Sequence, residues 1–182
     1  AAFSGWYFDR PEQLHVPFTS ELIGSPLGSC PAWLFPAPDA EASIADTWVV
    51  QVHGRGTTRA ETLRAVPVFR ELGMTSLVVS YRNDGEAPRS RAGTYSLGAT
   101  EWRDVDAAVA FALRRGAKRI VLMGWSMGGA IVLQLALNSV HADSIVGIVL
   151  DSPVTDWRLV LGFQARELGV PGYVLMKRAG EA

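Results

Sequence analysis

The chain has 182 residues, enough for one domain with a sizeable core and too few for two comfortable ones. Its 17 basic and 18 acidic residues are mixed along the chain and give a formal net charge of −1. The sequence has no basic stripe for a nucleic acid or an anionic membrane, so a small neutral or weakly charged partner fits better. Cys30 is the single cysteine, which excludes an internal disulfide framework and a thiolate metal cluster.

The sequence leaves the cellular location open. The longest strictly apolar runs, such as Ile145–Leu150, are far too short to cross a bilayer. The chain begins without methionine and shows no complete signal peptide, so an export signal or anchor trimmed from the N-terminus stays an alternative to a cytoplasmic location.

The N-terminal region is predicted to form an antiparallel hairpin. Leu14–Ser20 and Ser29–Phe35 are β-like runs, and Gly24–Gly28 between them is rich in turn residues.

From Asp46 onward, predicted strands and helices alternate along the chain. Strands are expected at residues 47–53, 75–81, 118–124 and 144–152, and later helices at residues 100–115, 127–138 and 155–169. This order predicts an α/β fold whose mostly parallel sheet carries helices on both faces.

The first helix of this region has its own signals. Thr58 and Glu61 have the spacing of a capping box, and Gly73 is a natural stop. Pro67 is expected to interrupt the helix between them.

Gly124-Trp125-Ser126-Met127-Gly128 matches the pattern G-x-S-x-G where a strand must become a helix. A serine on so tight a turn is strained and lifted above the sheet edge, and small neighbours let strand and helix pass close to it. The helix that follows aims unpaired N–H groups at any oxyanion formed there. We therefore interpret Ser126 as a nucleophile; the alternative is a serine N-cap with glycines for packing.

The loop "VHGRGTT" at residues 52–58 follows the first parallel strand. Acyl transfer needs two N–H donors for the oxyanion, typically from the residue after the serine and from this loop. The backbones of Met127 and Arg55 are at those positions, and Gly54 and Gly56 permit the loop's shape. The alternative is a plain turn that carries a basic residue, which its pairing with the serine turn disfavours.

The histidines and one aspartate are the other candidates. His53 ends a strand, where a histidine more often hydrogen-bonds locally than acts as general base. His15 and His141 are expected on the surface. Asp151 ends the fourth parallel strand and is a candidate triad acid; the alternative, at least as well supported, is an aspartate that satisfies loop backbone. Trp125 either shapes an acyl pocket or only packs.

With these motifs placed, the chain resembles the α/β-hydrolase superfamily, in particular its prolyl-oligopeptidase-like and monoacylglycerol-lipase-like serine hydrolases. The resemblance runs from about His15 to Trp157 and includes "VVQVHGRG", "TSLVVSYRNDGEAPRS" and "IVLMGWSMGGAIVLQLA". It implies Ser126 as nucleophile, Arg55 and Met127 as oxyanion donors, and neither metal nor organic cofactor. It also implies a core at residues 1–152 and a cap region whose first part is residues 153–182.

The sequence departs from this family after the serine. An acid and then a histidine should follow on later strands, but the only later histidine, His141, precedes every later acid. The fold is therefore expected to be incomplete at the C-terminus.

Two hypotheses follow from this departure. In the first, the chain is part of a serine hydrolase that acts on a small-molecule or acyl substrate, with its missing strands on a complementary C-terminal segment or chain. In the second, it is a shortened, inactive fold that serves as a binding or interaction module. The unpaired strand edge that a truncated sheet would expose favours the first hypothesis.

Overall fold

A computed structural model describes residues 7–39, 44–167 and 169. They form a six-stranded sheet in the order β1-β2-β4-β3-β5-β6, in which β2 is antiparallel to both neighbours and all other pairs are parallel. The strands are β1 (Thr19–Ser25), β2 (Gly28–Phe35), β3 (Thr47–Val52), β4 (Thr75–Val79), β5 (Arg119–Trp125) and β6 (Ile145–Asp151).

Four α-helices accompany this sheet in the described part of the chain. They are α1 (Val66–Glu71), α2 (Trp102–Arg114), α3 (Met127–Asn138) and α4 (Trp157–Glu167). Short 3-10 helices span Pro11–Leu14, Arg59–Ala65 and Ala142–Ser144. The predicted α/β fold, with its mostly parallel sheet and N-terminal hairpin, is confirmed.

The two faces of the sheet are covered by different helices. Side chains alternate between faces along a strand, so neighbouring residues of β3 show which helices lie on each side. Val50 packs with residues of α2 and α3, whereas Val49 packs with Ala65 and with Phe69 of α1. The helices therefore lie on both faces, as predicted.

The hairpin is present, but the predicted bounds of its first strand and turn are wrong. β1 begins only at Thr19 and continues through Gly24, which pairs with Ser29, so that Pro26 and Leu27 alone make the turn. Two-residue connections match the twist of paired strands best, which favours the shorter turn. Leu14 belongs to a 3-10 helix instead.

The predicted helix after Thr58 is two helices, and the predicted capping box does not form. A 3-10 helix at Arg59–Ala65 passes into α1, which has Pro67 in its first turn, where proline's missing N–H costs no helical hydrogen bond. Thr58 Oγ1 accepts from the N–H of Ala60 at 3.4 Å. The carboxylate of Glu61 binds the N–H of Gly54 at 2.6 Å instead of returning to the backbone of Thr58.

Cys30 lies on β2 with only 3% of its surface exposed. Burial disfavours the thiolate and raises the pKa of this thiol to about 11. Across the described residues, every helix is too short or too polar to span a membrane.

Candidate active site

Ser126 is the single residue between β5 and α3. Its backbone has φ 50° and ψ −114°, outside the regions that residues with a side chain normally adopt. Its side chain is exposed, and in the described part of the chain no group hydrogen-bonds to Oγ. The structure therefore presents this hydroxyl to solvent on a strained strand-to-helix turn.

Glycines on both sides of Ser126 let α3 cross directly over β3 and β5. A Cβ at Gly124 would overlap the carbonyl of Gly128. A Cβ at Gly128 would overlap the carbonyl of Val52 and lie 2.6 Å from the carbonyl oxygen of His53. Both positions require glycine for lack of space, as the sequence pattern indicates.

The end of β6 ties down the serine turn through the backbone. The N–H of Ser126 donates to the carbonyl of Asp151 at 3.0 Å, and the N–H of Val154 donates to the carbonyl of Ser126 at 3.1 Å. The Asp151 carboxylate is half exposed, 3.7 Å from Arg64 Nη2, and accepts the Ser152 hydroxyl at 2.9 Å. Asp151 thus lies beside the turn, but it contacts no histidine within the described residues.

The loop after β3 reaches the serine turn at Gly54. A Cβ on Gly54 would lie 3.3 Å from Cβ of Ser126, so the two backbones nearly touch. The N–H of Gly54 is occupied by Glu61. The N–H groups of Arg55 and Met127 have no hydrogen-bond partner among residues 7–39, 44–167 and 169.

His53 is buried below this loop and faces away from solvent. Its Nε2 lies 3.2 Å from Asp84 Oδ2 and its Nδ1 lies 2.8 Å from the carbonyl oxygen of Gly54. Its ring stacks on Tyr81, with 4.3 Å between ring centroids. The prediction that His53 bonds locally is confirmed. His15 is exposed, and His141 is partly buried.

Two ionisable partners of this loop have shifted pKa values. Burial by itself raises the pKa of Asp84, but hydrogen bonds from His53 and from the N–H of Ala87 outweigh it, and the pKa is lowered. Burial raises the pKa of Tyr81 well above its usual value, so its hydroxyl keeps the proton that it donates. That hydroxyl lies 3.0 and 3.1 Å from the carbonyl oxygens of His53 and Gly54.

The sequence profile of the Alpha/beta hydrolase family matches residues 49–180. The chain belongs to this family. No curated protein sequence matches it significantly.

Solved structures agree on this α/β-hydrolase fold. An esterase from Pyrococcus furiosus has a TM-score of 0.68 at 23% identity, over 92% of this chain and 61% of its own. A puromycin-hydrolyzing peptidase from Mycobacterium tuberculosis has a TM-score of 0.66 at 21% identity, over 81% and 24%. An epoxide hydrolase from an endophytic Streptomyces has a TM-score of 0.56 at 18% identity, over 73% and 36%. The chain thus spans less than two thirds of the length of each.

Beside the serine turn of this α/β hydrolase lies a cavity of about 420 Å³. The loop before α2, one side of α3 and the start of α4 line this open cavity, with Leu97, Ala130, Leu133, Gln134, Val154 and Trp157 in its wall. The Nε1–H of Trp157 is buried and has no partner in the described residues. The elements that lead into α4 therefore define a hollow next to the site.

Several residues at the site were not predicted from sequence. Asp84 and Tyr81 carry no motif, and Glu61 was assigned to a capping box. Trp125 is buried against Val49 and Phe69, so the packing alternative applies to it. The boundary between a core at residues 1–152 and a cap at residues 153–182 stays a prediction. Residues 168 and 170–182 of that cap lie outside the described residues.

Proposed function

We propose that this chain supplies the nucleophile and oxyanion donors of a serine hydrolase that forms an acyl-enzyme on Ser126. The observation that carries the proposal is the exposed, strained Ser126 hydroxyl beside two N–H groups without partners in the described structure. These belong to Arg55 and Met127, on the two backbones that nearly touch at Gly54.

The proposed reaction follows from this arrangement. Oγ of Ser126 attacks the carbonyl carbon of an acyl substrate while its proton passes to a histidine, and the carbonyl oxygen becomes negative. The N–H groups of Arg55 and Met127 then donate to that oxygen. The alcohol, thiol or amine leaves with the histidine's proton, and water releases the acid from Ser126. The chemistry needs no metal or organic cofactor.

The histidine and acid of this reaction are proposed to come from residues outside this segment. No histidine contacts the Ser126 hydroxyl in the part of the chain that the structure describes. Within this segment Asp151 is the alternative candidate for the acid, because it lies beside the turn. Its carboxylate faces Arg64 and Ser152.

The substrate class is proposed more broadly than the mechanism. The names of the similar structures cover an esterase, a peptidase and an epoxide hydrolase, so the fold does not choose among them. We favour an ester over an amide because the ester carbonyl is the more reactive of the two and an alcohol leaves more readily than an amine; a thioester stays within the proposed class.

A fluorophosphonate probe tests the nucleophile. With the protein expressed from its complete reading frame, Oγ of Ser126 should displace fluoride and form a bond to phosphorus, which mass spectrometry locates. Ser126→Ala should abolish labelling. Ser152→Ala is the matched control, because Ser152 is also exposed with positive φ (51°) and should be dispensable. Labelling that persists in Ser126→Ala contradicts the proposal.

A binding or interaction module is the second candidate function, and the Ser126 hydroxyl, which has no histidine partner among the described residues, favours it. It predicts a folded protein that the probe does not label but that still binds a ligand or partner. An acid followed by a histidine in the reading frame, together with labelling of Ser126, would exclude this candidate.

A further inference from the structure

Three side chains lie within hydrogen-bond distance of the carbonyl oxygen of Gly54. His53 Nδ1 lies 2.8 Å from this oxygen, Thr57 Oγ1 3.0 Å and the Tyr81 hydroxyl 3.1 Å. The hydroxyls of Thr57 and Tyr81 each also reach a second acceptor, Glu61 Oε2 at 2.9 Å and the carbonyl oxygen of His53 at 3.0 Å. The loop has no helix or strand ladder of its own at this point. Side chains therefore fix the direction of this carbonyl.

The direction of the carbonyl determines where the N–H of Arg55 points. Both groups belong to one trans peptide unit, which is planar, so they point to opposite sides of the chain. The carbonyl of Gly54 points inward to fully buried His53 and Tyr81. The N–H of Arg55 consequently points away from the core. The N–H of Gly54 cannot replace it, because Glu61 holds that group at 2.6 Å.

The ring of His53 can hold the carbonyl only with a proton on Nδ1, since a bare nitrogen would oppose the oxygen's lone pairs. Its Nε2 faces Asp84 Oδ2 at 3.2 Å, and both side chains are fully buried. That carboxylate also accepts the backbone N–H groups of Tyr81, Glu86 and Ala87, which favours its ionised form. The ring thus lies between the carbonyl of Gly54 and the carboxylate of Asp84, with one ring nitrogen facing each.

We propose that His53 and Asp84 are a positioning pair for the oxyanion site. Asp84 orients the ring of His53, and the ring fixes the carbonyl of Gly54. The N–H of Arg55 then faces the oxygen that becomes negative when Ser126 attacks. This inference rests on the proposed function and gives His53 a role other than general base.

Two substitutions of His53 separate its two hydrogen bonds. The amide nitrogen of asparagine occupies the position of Nδ1, so His53→Asn keeps the donor to Gly54 and loses the bond to Asp84. The amide nitrogen of glutamine occupies the position of Nε2, so His53→Gln does the reverse. His53→Asn leaves the buried carboxylate of Asp84 without its side-chain partner and should be the less stable variant.

The two His53 variants should rank in the opposite order in their rate of fluorophosphonate labelling, with His53→Gln labelled more slowly than His53→Asn. The oxyanion exists only in the transition state, so the bond-forming rate constant should fall while reversible probe affinity stays unchanged. We expect His53→Gln to be slowed about tenfold to a hundredfold, short of the roughly 10²–10³ for complete loss of a donor. His53→Asn should be intermediate. Tyr81→Phe, which keeps the stacked ring and removes one donor, should be slowed only a few-fold.

Each result decides the inference. Wild-type rates in His53→Gln and Tyr81→Phe overturn it, as do rates that follow stability, with His53→Asn the slower variant. If wild-type protein is not labelled at Ser126, the proposed function fails first and the inference with it. If wild type is labelled and these variants match it, the inference alone fails.

Discussion

β3 and β6 have similar apolar sequences and opposite surroundings. Every residue of "TWVVQV" in β3 is buried between α1 on one face and α2 and α3 on the other. In "IVGIVLD" of β6, Val146, Ile148, Val149 and Leu150 are exposed, and the strand pairs only with β5 in the described sheet. An apolar run therefore specifies a strand, while its burial depends on what the rest of the polypeptide or a partner places over it.

The same contrast separates the two sides of the candidate site. At the end of β3, the buried His53 and Tyr81 bond to carbonyls of the loop, and the partly buried Glu61 accepts the N–H of Gly54. At the end of β6, Asp151 and Ser152 are exposed and hold mainly each other. The loop after β3 is therefore fixed by several interior hydrogen bonds, whereas the end of β6 presents exposed polar side chains.

Gly128→Ala should have the largest effect on stability, because it disrupts the packing of α3 on β3. Its Cβ would overlap the carbonyl of Val52 and separate α3 from β3, with a loss of unfolding free energy of about 4 kcal/mol or more. Gly162→Ala is the control, because a Cβ there meets nothing within 4 Å in α4 and should change stability by less than about 1 kcal/mol. Urea denaturation measures both. A mild effect of Gly128→Ala would show that α3 can shift on the sheet.

Matched leucines compare the two strand environments directly. Leu77 in β4 is fully buried, and Leu77→Ala should lower the unfolding free energy by about 2–5 kcal/mol. Leu150 in β6 is 37% exposed, so Leu150→Ala should cost less than half as much. Equal losses in urea denaturation would mean that β6 is covered in the whole protein, which would sharpen the comparison.

Asp84 should make the β3 side sensitive to acid. Its pKa is lowered in the folded protein, so its contribution to stability is complete above the unfolded-state pKa and is lost as pH falls through the folded-state pKa. Asp84→Asn should cost about 1.5–3 kcal/mol at pH 7, the range for hydrogen bonds to a charged group. Urea denaturation from pH 7 to pH 3 should show the difference between wild type and variant shrinking. A constant difference would contradict it.

Asp151→Asn should have the smallest effect on stability. The carboxylate is half exposed and lies 3.7 Å from Arg64, and surface pairs of this kind contribute about 0–1 kcal/mol. Thermal unfolding should barely change. A large loss of Ser126 labelling in a variant of unchanged stability would assign Asp151 the acid role.

The sequence contained enough local information to predict the fold and the serine turn. Gly124, Ser126 and Gly128 stand where a strand must become a helix, and crowding at that crossing admits only glycines. Hairpin bounds were less predictable, because Gly24 suits a turn as well as a ladder position. The short connection between the strands decided it.

The support of the β3 loop was not predictable from sequence. Asp84 lies 31 residues from His53 in a long polar loop, where nothing distinguishes it from other acids. Glu61 had a correct local spacing for a capping box, but its carboxylate bonds to Gly54 instead. Such contacts depend on how separate loops meet after β3 and β4 pair. The hydrophobic periodicity of the sequence carries no information about them.

The burial of Cys30 has a practical consequence. A thiol that is 3% exposed, with a pKa of about 11, is almost entirely unreactive toward maleimides and iodoacetamides near neutral pH. It is also the single cysteine of the chain. A cysteine introduced on exposed β6 can therefore carry a fluorophore or spin label without removal of the native one. Cys30 then adds no signal of its own, so the label reports only on what binds near β6.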